Sequence, residues 1–189
     1  MRVEHAKRAC AAMRSRVALL PKDAERTDPF LALAEDWVDA HGGFPTHPHR
    51  GFETHTLVVE GSQEHRDSTG VSAGLAAGDV RWMTAGRGVV HSEVARGGFH
   101  GLQLWVNLRA REKMRPPRYQ DLLASGIPTV EGVGSVVRGI AGVHAGTRGA
   151  AETVTPVNVL DVLLAQLHQG VRRGPLWPFF VTRRIVVRS

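Results

Sequence analysis

Cysteine is almost missing from this chain. Cys10 is the only one in 189 residues, so no intramolecular disulfide can form, and a reducing compartment is expected: the cytoplasm, or the nucleus in a eukaryotic cell. Long apolar runs are missing too. No stretch approaches the ~18 residues of a membrane-spanning helix, so no membrane partner is expected. The first twenty residues lack the unbroken apolar core of a secretory signal, because Arg14 and Arg16 interrupt it, and residues 1–27 read as a basic arm. Acidic residues are absent after Asp161, where five arginines follow, and residues 1–16 set five basic groups against Glu4 alone. The basicity therefore sits at the two ends, around a body that is net acidic. A phosphate-binding groove needs basic side chains clustered on folded surface. No specific nucleic-acid partner is expected.

What the chain does have is histidine, concentrated in one place. Seven of its ten histidines lie between His41 and His100. Short β-rich segments surround them: Phe52 to Glu60, closed by Gly61-Ser62; Arg81 to Thr84; Val89 to Val94; and Gly101 to Leu108. In the last of these Leu102, Leu104, Val106 and Leu108 alternate with Gln103, Trp105 and Asn107. Turn signals separate them at Asp67 to Gly70, Ala77-Gly78-Asp79 and Ala85 to Gly88. Short strands with glycine turns predict an all-β sandwich or barrel. One helix is predicted, Pro116 to Ser125, from the Pro116-Pro117 start and Gly126 just past its end. Val157 to Leu164 reads as a further strand.

Residues two apart on a strand share a face. His47 and His49 therefore point one way, and so do His91 and Glu93. If their strands meet in one barrel, three imidazoles and a carboxylate converge, which is a metal site. The absence of thiolate suits Fe(II) as well as zinc, and manganese, nickel and copper are compatible with the same donors. Glu53 shares that parity and is a rival fourth ligand, or a group that braces a ligand imidazole. His55, two residues on, reads as an interior histidine. His65, beside Glu64, Arg66 and Asp67, reads as a solvated residue at a polar turn. Trp82 and Trp105 read as core anchors.

Three stretches resemble the pirin family: Phe44-Pro45-Thr46-His47-Pro48-His49-Arg50-Gly51-Phe52-Glu53-Thr54, the run from Gly78 to Glu93, and Gly101 to Leu108 with Glu112-Lys113-Met114. The resemblance implies a cupin (double-stranded β-helix, or jelly-roll) barrel over 28–115. A linker with a short helix over 116–150 and an incomplete second cupin barrel over 151–189 would follow. It also implies Fe(2+) held by His47, His49, His91 and Glu93, the last displacing Glu53 as carboxylate ligand. Two functions are implied in turn. One is flavonol cleavage as a quercetin 2,3-dioxygenase. The other is non-catalytic, redox-responsive regulation of a transcription factor or a metabolic enzyme. His55 stands where the family leads us to expect an apolar or β-branched residue, which puts an extra imidazole near the metal. The resemblance ends near Ala165. The tail, 166–189, is expected to be poorly ordered or draped over apolar surface, and open to proteolysis after Arg172 or Arg173.

Overall fold

The computed structural model describes residues 4–6, 13–70, 72–166 and 180–188, in two compact units, Met1–Ser125 and Gly126–Ser189. In the first unit nine strands form one antiparallel sheet. They are β1 (Glu4–Ala6), β2 (Met13–Leu19), β3 (Phe30–Val38), β4 (Gly43–His49), β5 (Phe52–Asp67), β6 (Ser72–Ala76), β7 (Val80–Thr84), β8 (Val89–Asn107) and β9 (Arg118–Leu122). The path runs β1-β2-β3-β8-β5-β7-β9, with β4 added on β8 and β6 on β5. Two long strands organise it. The C-terminal part of β8 pairs with β3 and its N-terminal part with β4, while β5 follows it along both. Leu57, Val80, Trp82, Leu104 and Val106 are fully buried in the core. The alternation expected for Leu104, Val106 and Leu108 is present.

Four expectations change. Gly61-Ser62 does not close the strand. Gly61 takes φ +76, where a Cβ would run into the Gly98 carbonyl, and the ladder between β5 and β8 shifts register on either side of it. A bulge bends a strand without ending it, so β5 continues to Asp67. Residues 116–125 do not form a helix. Arg118–Leu122 is a strand that pairs with β7 in the register Arg81↔Asp121, and the Arg81 guanidinium grips the Asp121 carboxylate through two bonds of 2.7 and 2.8 Å. Pro and Gly punctuate either kind of element, and here the open edge of β7 decides. The basic arm is sheet from Met13 to Leu19, with Arg14 lying 4.3 Å over the Trp37 ring. Ser15, between Arg14 and Arg16, is buried and hydrogen-bonds Asp36.

The second unit carries a sheet ordered β10 (Thr129–Gly132), β11 (Ser135–Ala141), β14 (Asn158–Gln166) and β15 (Phe180–Arg188), and a small pair, β12 (Val143–His144) and β13 (Thr147–Arg148). Here is the fourth change. Part of the tail is regular, because β15 pairs with β14 along its whole length, from Phe180↔Gln166 to Arg188↔Asn158. The segment around Arg172, Arg173 and Trp177 lies outside the described residues. Buried Asp161 on β14 accepts a 2.8 Å bond from Arg138 on β11.

Candidate metal centre

The centre forms where β4 crosses the first part of β8. Gly43, at φ +155, brings β4 against the Glu93 carbonyl, a space that a Cβ would fill. The register then sets His47 opposite His91. Along β8, Val89, His91, Glu93 and Ala95 are buried and Val90 and Val94 are exposed, so the same-face reading of His91 and Glu93 holds. One ring nitrogen from each of His47, His49 and His91 lies within 4.8 Å of the other two. His47 Nε2 is 3.0 Å from His49 Nε2 and 2.9 Å from His91 Nε2. His47 Nδ1 donates to the Pro45 carbonyl at 2.7 Å, because a carbonyl can only accept. In neutral His47 the Nε2 lone pair is then bare and faces its neighbours.

Glu93 stands outside this group of three. It is 2% exposed, and its Oε2 is buried without a hydrogen-bond partner. Glu53, the rival ligand, is braced instead: its Oε1 accepts from Trp82 Nε1 at 3.1 Å and from Thr84 Oγ1 at 2.7 Å. His55 is buried against Trp82, ring centroids 5.7 Å apart, and is not one of the converging imidazoles. Trp82 is a core residue as expected. Trp105, half-buried, stacks on Phe52, and both meet the His49 ring in T-shaped contacts, at 5.3 and 5.0 Å between centroids.

The residue that the sequence reading misplaced is His65. It is fully buried, and its Nε2 lies 2.8 Å from His91 Nδ1. Tyr119 of β9 meets its ring at 5.1 Å. The usable signal was the bulge at Gly61: with β5 continued past it, Gln63 and His65 are the next inward positions.

Burial dominates the electrostatics. It lowers His49 to about 4, helped by His47 and His65. It lowers His91 to about 3, helped by His49, His47 and His65, and His65 to about 4, helped by Arg81. Burial raises Glu93 to about 7, against the pull of Arg81. Near neutral pH His49, His91 and His65 are therefore neutral imidazoles, each with one lone pair to offer. An orphaned carboxylate on the next inward position of β8 and bare nitrogens at about 3 Å are what a cation would satisfy. Ligands at about 2.1 Å from an ion sit about 3.0 Å apart at right angles and about 3.4 Å apart at the tetrahedral angle. The two His47 edges, 3.0 and 2.9 Å, fall in the range that ligands of one ion occupy. The donors fit a divalent ion. Beside them a groove of about 290 Å³ is lined by Thr46, Arg66, Asp67, Ser68, Val90, His91 and Ser92.

A family model described as Pirin matches residues 5–106. Pirin-like protein 2 of Arabidopsis thaliana is 50% identical over 148 residues, which are 76% of this chain and 46% of that protein. A quercetin 2,3-dioxygenase structure from Acinetobacter baumannii superposes with a TM-score of 0.76 at 37% identity, covering 87% of this chain and 62% of that one. The bacterial pirin YhhW of Escherichia coli, solved in complex with nickel(II), gives a TM-score of 0.69 at 23% identity over 87% of this chain and 69% of its own. That last likeness speaks to the fold. The chain spans about half the length of the curated relatives it matches.

Proposed function

The chain belongs to the pirin family, and from that premise we propose that its first unit binds Fe(II) and cleaves a flavonol with dioxygen, as a quercetin 2,3-dioxygenase. Its fold is all-β and matches the cupin barrels of pirin structures. His47, His49 and His91 would hold the ion, with Glu93 as fourth ligand. The observation that carries this reading is the convergence of three imidazole nitrogens within 4.8 Å. Three imidazoles and a carboxylate with no thiolate suit Fe(II).

When bound, a ferrous ion supplies Lewis-acid attraction for a flavonol's adjacent oxygens and redox chemistry with dioxygen. The protein's own groups do the rest. Glu93 Oε2 has no hydrogen-bond partner, and a carboxylate at that position would take the flavonol's hydroxyl proton. Glu53 is already engaged by Trp82 and Thr84, so it braces the wall of the site. Phe52 and Trp105 keep water from one side of His49.

The test is anaerobic loading with Fe(II), then addition of oxygen and quercetin. Iron-dependent loss of the flavonol absorbance is expected, and it should vanish in His49→Ala. Bound iron without turnover would remove the dioxygenase reading.

A second reading, redox-responsive regulation of a protein partner, is favoured by one feature. The strand that carries His91 and Glu93 inward carries Val90 and Val94 outward, each 40% exposed. Val94 and Ser92 line a second groove with His41, Glu64, Arg66 and Arg96. A change of metal charge lies one backbone away from that outer surface. An iron-loaded protein that leaves quercetin intact but binds a partner only in one oxidation state would establish this reading instead.

A further inference from the structure

His91 is the one member of the triad whose second ring nitrogen meets another buried imidazole. His65 lies on β5 beyond the Gly61 bulge, opposite Glu93 in the ladder and diagonal to His91. Its Nε2 stands 2.8 Å from His91 Nδ1, and both side chains are shut away from water, at 0% and 3% exposure. Two nitrogens at that distance share one proton, so one ring donates and the other accepts. The opposite nitrogen of His91, Nε2, points to His47 Nε2 at 2.9 Å. A neutral imidazole has one proton. It can ligate through Nε2 only if that proton sits on Nδ1.

We propose that His65 is a positioning residue for the metal centre: its Nε2 accepts the Nδ1–H of His91, holding His91 in the tautomer whose bare Nε2 faces His47 and His49. The inference rests on the triad being a metal site, as proposed above. His47 obtains the same service from the main chain, because the Pro45 carbonyl accepts its Nδ1–H. The two ligands that face each other across β4 and β8 are thus both locked from behind, one by a carbonyl and one by a histidine. The difference matters. A carbonyl can only accept, whereas an imidazole can present either a lone pair or a proton. If the bond is reversed, with His65 donating to His91 Nδ1, the proton of His91 moves to Nε2 and blocks ligation. Groups that fix the tautomer of a metal-bound histidine typically contribute about 10- to 100-fold in metal affinity.

The experiment uses the full chain with Zn(II) as a diamagnetic probe and Ni(II) for affinity. Long-range proton–nitrogen spectra of the zinc-loaded protein should show His91 protonated at Nδ1, with the bond to His65. Chelator competition with Ni(II) should show His65→Leu weakened about 10- to 100-fold. His65→Gln, whose side-chain oxygen can accept the same proton, should recover most of the loss. Affinity within twofold of wild type in a folded His65→Leu overturns the inference while leaving the metal site standing. So does His65→Gln no better than His65→Leu, or a wild-type spectrum with the His91 proton away from Nδ1. If the wild-type chain binds neither ion, the metal reading and this inference fall together. The His65 ring in the wild-type spectrum decides the matter even if the leucine variant does not fold: its Nε2 must carry no proton and accept from His91 Nδ1.

Discussion

Glu93 and His55 are both buried titratable groups, and burial shifts them in opposite directions. Burial raises Glu93 from 4.5 to about 7. A ligand carboxylate must shed its proton to bind a cation, so affinity should fall as pH drops below about 7, by up to about tenfold per unit. In Glu93→Gln that slope should be shallower than in the wild type between pH 5.5 and 7, because the carboxyl proton no longer competes with the ion while His49 and His91 stay neutral down to about 4 and 3. Competition titrations at three pH values check this, and identical slopes would remove Glu93 from the ligand set. His55 is lowered from 6.5 to about 4 by burial, and neither ring nitrogen finds a partner on another residue. The unfolded chain then takes up this proton first. Stability is intact above about 6.5 and declines as pH falls towards about 4, a loss of about 3 kcal/mol at the low end. Replacing His55 by Leu should flatten the drop in melting temperature between pH 7 and 4.5. An unchanged drop would mean that other groups carry the acid sensitivity.

At the scale of elements, the bulge in β5 lets the strand go on pairing with β8 as far as Asp67, which sets His65 beside His91. Gly61 and Gly70 test the cause, because both have positive φ, +76 and +90, but only Gly61 has neighbouring backbone in the path of a Cβ. Gly70→Ala should cost about 1 kcal/mol, from backbone strain alone. Gly61→Ala should cost about 2–4 kcal/mol, since the clash with the Gly98 carbonyl adds to the strain. Denaturant midpoints of the two variants measure the difference, and equal costs would show that the close approach at Gly61 is easily relieved. The pairing of β7 with β9 is a second case. Turn residues announced both ends of 116–125, yet the Arg81 guanidinium and the free edge of β7 selected a strand.

At the scale of the whole molecule, all three converging histidines, and Glu93, Glu53 and His65, fall within Met1–Ser125. A fragment of residues 1–125 should therefore retain β-sheet circular dichroism and bind one divalent ion with an affinity within about threefold of the full chain. Failure of a folded fragment to bind would show that residues after 125 contribute to the centre. No helix among the described residues is long and apolar enough to cross a membrane.

The period of two is the part of this protein that local sequence determines. It placed His47 with His49 and His91 with Glu93 on common faces, and it made Leu104, Val106 and Leu108 core, because alternation follows from strand geometry wherever a strand is uninterrupted. Glycine turns and the long pirin-like motifs went further, to the barrel and the pairing of the two clusters. The tertiary structure decided what lies beyond an interruption. Whether Gly61 ended β5 or bent it depended on the Gly98 carbonyl across the ladder, and His65 was solvated or buried accordingly. Whether Glu53 or Glu93 kept an open carboxylate oxygen depended on Trp82 and Thr84 of β7. Such contacts join residues about thirty positions apart. Local spacing carries no trace of them, because they exist only once the strands have met.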